Sequence, residues 1–285
     1  MVTTGDIDIF AANLLNFFMY EFHKDKETYF KIQYQNSKKS IVPFLEEQVT
    51  LDSGTNVLEI GSAEGGNLKP FAEAGCKCTG IELSSSRTEL AKKFLKDEVN
   101  KELVIFINQD IYEIDPKSIT EEGFDLIFLK DVLEHIPNQE KLMARLKDFL
   151  KPGGKIFLGF PSWYMAFGGH QQMCKSKVLS RLPYFHLLPT FAYKGILKWF
   201  NKNDSQNEML MEVKDTRISV QRFEKILRKE NYIINKKQYY FIPPIYYYKF
   251  KAKTRKLPAF ISGIPLLREP FITSAYYLIE WKGIY

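Results

Sequence analysis

The 285-residue chain contains only three cysteines, Cys76, Cys78 and Cys174, an odd number with no metal-ligand spacing. That scarcity argues against a disulfide framework and a cysteine-built zinc site, and it reads as reduced thiols. Long apolar runs are missing as well: none reaches the roughly 18 to 20 residues that a membrane-spanning helix needs. Residues Met1 to Asp8 lack the basic stretch and small-residue cleavage site of an export signal, so a cytoplasmic location is expected. There are no internal repeats. With 45% apolar and 26% charged residues, the composition is that of one large globular domain, or of one domain carrying a sizeable insertion. Charge is nearly balanced, +6 from 40 Lys+Arg against 34 Asp+Glu. It is unevenly spread, because residues 232–285 hold nine Lys/Arg and two Asp/Glu, so the remaining chain sums to −1.

From about residue 54 to 160, short β-branched or apolar runs alternate with turns and segments of helical periodicity. This is the pattern of a parallel sheet flanked by helices. Strands are expected at Asn56–Ile60, Cys76–Leu83, Leu103–Asn108, Phe124–Leu129 and Lys155–Phe160, with helices from Asn67 to Gly75, from Ser84 to about Val99 and from Gln139 to Leu150. Residues 1–50 read as an N-terminal helical cap on the rim of the sheet. Residues 161–216, with Gly168-Gly169, prolines and a polar stretch, read as an insertion after the fifth strand. A helix at Ser219–Asn231 and strands at Tyr232–Ile242 and Phe271–Trp281 complete the domain.

The stretch Val57-Leu-Glu-Ile-Gly61-Ser-Ala63-Glu-Gly65-Gly66-Asn67 ends a strand and opens a helix. Glycines there allow positive φ and close approach of a ligand, and a helix N-terminus offers free N–H groups. Glu82 follows Gly61 at the end of the second strand, where a carboxylate accepts ribose hydroxyls. A dinucleotide and S-adenosylmethionine both fit this outline. Glu59 favours the second, since a carboxylate repels a pyrophosphate but attracts an ammonium and a sulfonium.

In order and spacing, Val57–Gly65, Gly80-Ile-Glu82-Leu83, Asn108-Gln-Asp110-Ile111 and Phe124–Ile136, followed by Leu150-Lys-Pro-Gly-Gly154, resemble a class I S-adenosylmethionine-dependent methyltransferase. The resemblance is to the small-molecule enzymes related to ubiquinone and menaquinone biosynthesis. It implies an α/β, Rossmann-like, seven-stranded, mostly parallel sheet with helices on both faces. It also implies that Glu59, Gly61, Ala63 and Gly65 line the methionine end, with Asn67 a further cofactor contact, Glu82 on the ribose and Leu83 against the adenine. Asp110 would accept from the adenine amino group, Ile111 would cover the ring and Lys130 would lie under the methionine moiety. Ala63 departs from the glycine usual in the family. The plain alternatives are that Asp110 is a turn former and Ile111 simple core.

Methyl transfer to an alcohol or phenol needs a positioned acceptor and removal of its proton. Candidates are Asp131, Glu134 and His135 after the fourth strand and His170 in the insertion, with His170 and His135 as the catalytic pair. Related quinone O-methyltransferases carry an acidic-x-x-Glu-His run that holds a divalent metal, while in other relatives the Glu-His pair braces the turn; no metal is assigned here. Trp163, Tyr164, Phe167 and Tyr193 serve either as acceptor-pocket walls or as core. His186 is expected to pack beside a lid helix, with a place in the acceptor site as the alternative.

The segment Tyr246–Lys256 puts five cations in eight residues beside tyrosines, which suits a solvated face, peripheral contact with an anionic membrane or an acidic acceptor. Nucleic acid is disfavoured as a partner because the Asn/Asp-Pro-Pro-aromatic motif of adenine N6 chemistry is absent after the fourth strand. The expected partner is a small-molecule or lipid-linked acceptor. A nucleic-acid methyltransferase, a nicotinamide-dependent oxidoreductase and a non-catalytic protein on this fold remain the alternatives.

Overall fold

In a computed structural model, which describes residues 25–283 except 202, a single sheet organises the chain. Its strands, in chain order, are β1 Asn56–Ile60, β2 Lys77–Ile81, β3 Val104–Ile107, β4 Phe124–Lys130, β5 Leu150–Phe160, β6 Tyr232–Ile242, β7 Arg255–Lys256 and β8 Ser274–Trp281. Their spatial order is β3-β2-β1-β4-β5-β8-β6-β7, with the first five parallel and β8 antiparallel to both β5 and β6. The chain order reverses between β1 and β4, and in open α/β sheets ligands bind beyond the strand ends at such a switch point. Seven strands were expected; the eighth is β7, two residues long, paired with β6 at the sheet edge. The last strand starts at Ser274, because Glu269–Phe271 forms a 3-10 turn.

The strands alternate strictly between two buried faces, as period-two geometry requires. Along β4, Ile127 and Leu129 join one core with Ile156, Leu158 and Ile279. Leu126 and Phe128 join the other with Val57, Phe157 and Leu278. Helix α1, Lys26–Asn36, begins the described chain, and its N-cap Asp25 accepts from the Thr28 amide. It runs on through a π-turn at Ser37–Ile41 into a short helix at Val42–Glu46. Phe30, Ile41, Phe44 and Leu45 pack against Val57, Phe128 and Phe157, so the described part of the N-terminal region covers a sheet face and not its rim. The rest of that region lies outside the described residues.

The helix expected over Ser84–Val99 is broken in two, α2, Ser85–Phe94, and a separate short helix at Lys96–Asn100; buried Leu95 between them leaves helical geometry at φ −109, ψ 31. The helix expected from Asn67 is a short one, Lys69–Glu73, and it stops just before Gly75, which takes φ +93. Helix α3, Gln139–Leu146, buries Leu142, Met143 and Leu146 against the first face. After β5 come three 3-10 turns, then α4, Thr190–Phe200, α5, Asp204–Thr216, and α6, Val220–Lys229. The segment around α4 and α5 has a small core of its own, made by Cys174, Leu179, Phe185, Tyr193, Leu197 and Leu210. A further helix, α7, Ile245–Phe250, follows β6 and packs on α1, and a single helical turn at Ala259–Ser262 comes after β7.

Candidate functional site

At the C-terminal end of β1 the chain turns through left-handed backbone at Gly61, Ala63 and Gly65, with φ of +69, +48 and +81. A methyl group on Gly61 would meet Val132 at 2.6 Å, and one on Gly65 would meet Leu95 at 2.8 Å. Ala63 takes the left-handed conformation that an alanine rarely adopts. Part of the reason is its amide, which donates to Glu82 Oε2 at 2.9 Å. The other oxygen of Glu82 accepts from the Ser84 amide at 2.9 Å, so one buried carboxylate ties the glycine turn to the end of β2. An ionised carboxylate has about four acceptor positions, so two remain for a ligand.

Glu59 is 1% exposed. Its Oε1 accepts from Asn67 Nδ2 at 2.9 Å, while Oε2 has no partner among the described residues. Burial drives its carboxyl well above the ordinary glutamate range, against the Asn67 bond and with help from Glu82. A buried, half-satisfied carboxylate is costly unless a cation completes it. Asp110 caps its own turn by accepting from the Tyr112 amide at 3.0 Å, Ile111 is buried and Leu83 is 72% exposed beyond the strand end. The three surround the turn that follows β3 and the end of β2. Lys130 ends β4 with its side chain buried over the Tyr276 ring, and it donates to Asp131.

The second cluster lies after β4. Asp131 and His170 both hold left-handed backbone at φ +56. For residues other than glycine that is a sign of strain, and strain concentrates at functional sites. One ligand atom each from Glu134, His135 and His170 falls within 4.8 Å of the others. The two imidazole rings are 5.1 Å apart. Both carboxylate oxygens of buried Glu134 and the Nδ1 of His170 lack partners among the described residues. Burial raises Glu134 to about 8, with Asp131 adding to the effect, and burial lowers His170 to about 3. Desolvation also pushes the Asp131 carboxyl up, but Lys130, with Lys249 and His170, outweighs it and holds Asp131 below its ordinary value. The insertion is fastened to this cluster, since Thr216 at the end of α5 donates to the Glu134 carbonyl at 2.6 Å. A narrow cleft beside Glu134 is lined by Pro161, Trp163, Gly168 and Thr216.

Other sequence expectations sort clearly. His186 is fully buried and bonds the Trp163 carbonyl at 2.7 Å, with its backbone carbonyl held by Lys214. Tyr193 lies in the small core of the insertion, and Trp163 and Phe167 are buried, whereas Tyr164 is 43% exposed. The basic tail, read as a solvated face, an anionic-membrane contact or an acidic-acceptor contact, returns one of its cations to α1 and to the neighbourhood of Asp131. On α7, Lys249 is half-buried over the Tyr29 ring at 5.5 Å, and burial lowers it to about 8 against the pull of Asp131. Tyr29 in turn feels both Asp131 and Glu64. Glu64, in the glycine turn, is fully buried and pairs with Lys26 at 2.7 Å and more distantly with Arg87 at 3.8 Å. Sequence reasoning missed Lys26, Tyr29, Glu64 and Lys249. The acid inside the glycine motif was the one signal that a cation had to come from elsewhere.

An open α/β sheet with a glycine turn, a buried carboxylate at the end of its second strand and a polar cluster at its switch point defines a Rossmann-like protein. A family model described as a methyltransferase domain matches residues 30–217, well over half of the chain, and the chain belongs to that family. Over 114 residues it is 29% identical to a ubiquinone biosynthesis O-methyltransferase of Coxiella burnetii, covering 40% of this chain and 46% of that one. Over 107 residues it is 35% identical to phosphoethanolamine N-methyltransferase 2 of Caenorhabditis elegans, covering 37% of this chain and 23% of that one. The chain thus spans less than half the length of these curated relatives. Magnesium protoporphyrin IX methyltransferase from Synechocystis PCC 6803, solved with bound S-adenosylhomocysteine, shares the fold with a TM-score of 0.53 at 16% identity, over 88% of this chain and 84% of that one. Among the described residues no helix is long and apolar enough to cross a membrane.

Proposed function

We propose that the chain transfers the methyl group of S-adenosylmethionine to an oxygen of a small or lipid-linked acceptor. The carrying observation is the buried Glu59 carboxylate, which has one oxygen satisfied by Asn67 and one left open beside the glycine turn. An α-ammonium is the complement it lacks, whereas the pyrophosphate of a dinucleotide would be repelled. In this reading Gly61, Ala63 and Gly65 let the ligand approach the backbone, Glu82 keeps two acceptor positions for ribose hydroxyls and Leu83 and Ile111 sandwich the adenine. Asp110 receives the adenine amino group, and Lys130 braces the floor through its bond to Asp131. When bound, the donor supplies an activated methyl group for in-line displacement, so the protein's work is placement and proton removal.

Similarity to a quinone-pathway O-methyltransferase supports an oxygen acceptor, and similarity to a phosphoethanolamine N-methyltransferase supports nitrogen. The Glu134–His135–His170 cluster favours oxygen, because a hydroxyl must lose its proton to attack and a neutral amine need not. His170 and His135 are the residues that meet the acceptor, with Asp131 kept ionised beside them. The same donor set favours a second reading. One carboxylate without partners and two imidazoles fit a divalent cation, which would lower the pKa of an acceptor hydroxyl. Methyl transfer from labelled S-adenosylmethionine to a panel of catechols and amines, run with and without a chelator, tests both. Transfer surviving the chelator supports the base reading, transfer lost and restored by Mg²⁺ or Mn²⁺ supports the cation, and transfer to amines alone rejects an oxygen acceptor. The proposal places the chain in the cytoplasm, where its three buried, unpaired thiols stay reduced.

A further inference from the structure

From Phe149 to Asn203 the sequence contains eight Lys/Arg and no Asp or Glu. This stretch carries the most exposed apolar side chains of the insertion. On α4, Tyr193 and Leu197 point into the small core, while Phe191 is 82% and Trp199 80% exposed, with Lys194, Gly195 and Lys198 on the same outward side. Val178, Leu182, Leu187 and Leu188 are exposed on the turns leading into the helix, interspersed with Lys175 and Lys177. An outward helix face of large aromatics flanked by lysines, on a stretch without a single acid, has the composition of an interfacial helix. Isolated exposed apolar residues need no explanation, but a grouped set of this size does.

We propose that α4 and the turns before it dock the protein onto an anionic lipid bilayer, with Phe191 and Trp199 entering the headgroup boundary and the lysines facing lipid phosphates. Charge complementarity selects this occupant. A nucleic acid would use the cations but has no use for the aliphatic Val178, Leu182, Leu187 and Leu188. A second copy of this chain would set one acid-free stretch, residues 149–203, against another. The docked module also carries His170 and is fastened through Thr216 to Glu134, so a membrane-held acceptor would be delivered next to the candidate acceptor cluster. That last step rests on the proposed methyl transfer; the docking itself does not.

The test uses the full chain with vesicles of phosphatidylcholine alone and of phosphatidylcholine with phosphatidylglycerol at 3:1. Expected is co-sedimentation with the anionic vesicles only, weakening with salt, and a blue shift of tryptophan emission that Trp199→Phe abolishes while binding persists. Phe191→Ser/Trp199→Ser should lower the bound fraction about tenfold or more. Its affinity for S-adenosylhomocysteine should stay unchanged, which shows that the variant is folded and keeps docking separate from the transferase reading. Equal sedimentation with both vesicle types overturns the proposal. So does failure to bind either, self-association lost in the double variant without vesicle binding, or single-stranded RNA binding that the double variant abolishes in place of vesicle binding.

Discussion

The glycine turn and the insertion meet at the same end of the sheet but are built on opposite terms. Around the turn the carboxylates are buried and tied into the sheet: Glu82 accepts from two amides, Glu59 accepts from Asn67 through one oxygen and keeps the other open, and Glu64 pairs with Lys26. The insertion has a core of six buried residues and leaves Phe191 and Trp199 in solvent. The difference teaches where specificity resides. In the proposed reading, a ligand common to many proteins is met by geometry rooted in the strands, and the acceptor by an inserted module fastened to them through Thr216 that also turns an apolar, basic face outward.

The sharpest break of that comparison is His170→Ala. Turnover should fall about 100- to 1,000-fold, the range of a lost general acid–base group, while S-adenosylhomocysteine affinity stays within about twofold. Turnover close to wild type would remove His170 from the acceptor side. Next comes Glu82→Ala, which frees the Ala63 and Ser84 amides from a buried carboxylate. At roughly 2 to 3 kcal/mol for charge-assisted bonds, cofactor affinity should drop about 30- to 160-fold by calorimetry. Leu210→Ala opens the insertion's core and should cost about 2 kcal/mol of local stability. Hydrogen exchange should speed up over residues 174–210 and remain slow in β1 and β4; acceleration in both would show that the two regions unfold as one.

The smallest effect concerns protons. Because the Glu59 carboxyl is raised in the folded chain, its contribution to stability is full below the ordinary glutamate range and is lost as pH rises through the raised value. An ammonium ligand favours the ionised form, so binding should release a proton and strengthen as pH approaches that value. Calorimetry in buffers of different ionisation enthalpy should detect the release, and Glu59→Gln should abolish it. Release persisting in the variant would place the proton elsewhere.

Legibility in the sequence follows the range of the interactions. Gly61, Glu59 and Glu82 are readable because a left-handed turn at a strand end and a carboxylate on the next strand are local demands, met within 24 residues. The parallel strands are readable from period-two alternation, as in Leu126 and Phe128 against Ile127 and Leu129. Lys249 was not, because only the packing of α7 on α1 carries it over Tyr29, more than 200 residues away in sequence. The tail's charge was visible while its direction was not. The approach of His170 to Glu134 depends on a loop fixed by left-handed backbone at both Asp131 and His170, a conformation that sequence does not mark outside glycine. The cap's position was misread because its apolar residues point to burial without naming the surface that buries them.

The division of labour is tested most directly by one calorimetric series of S-adenosylhomocysteine into wild type, Glu82→Ala and His170→Ala. The account predicts one-to-one binding to wild type, the same affinity for His170→Ala within about twofold and a loss of about 30-fold or more for Glu82→Ala. No binding to wild type, or equal weakening in both variants, would contradict it.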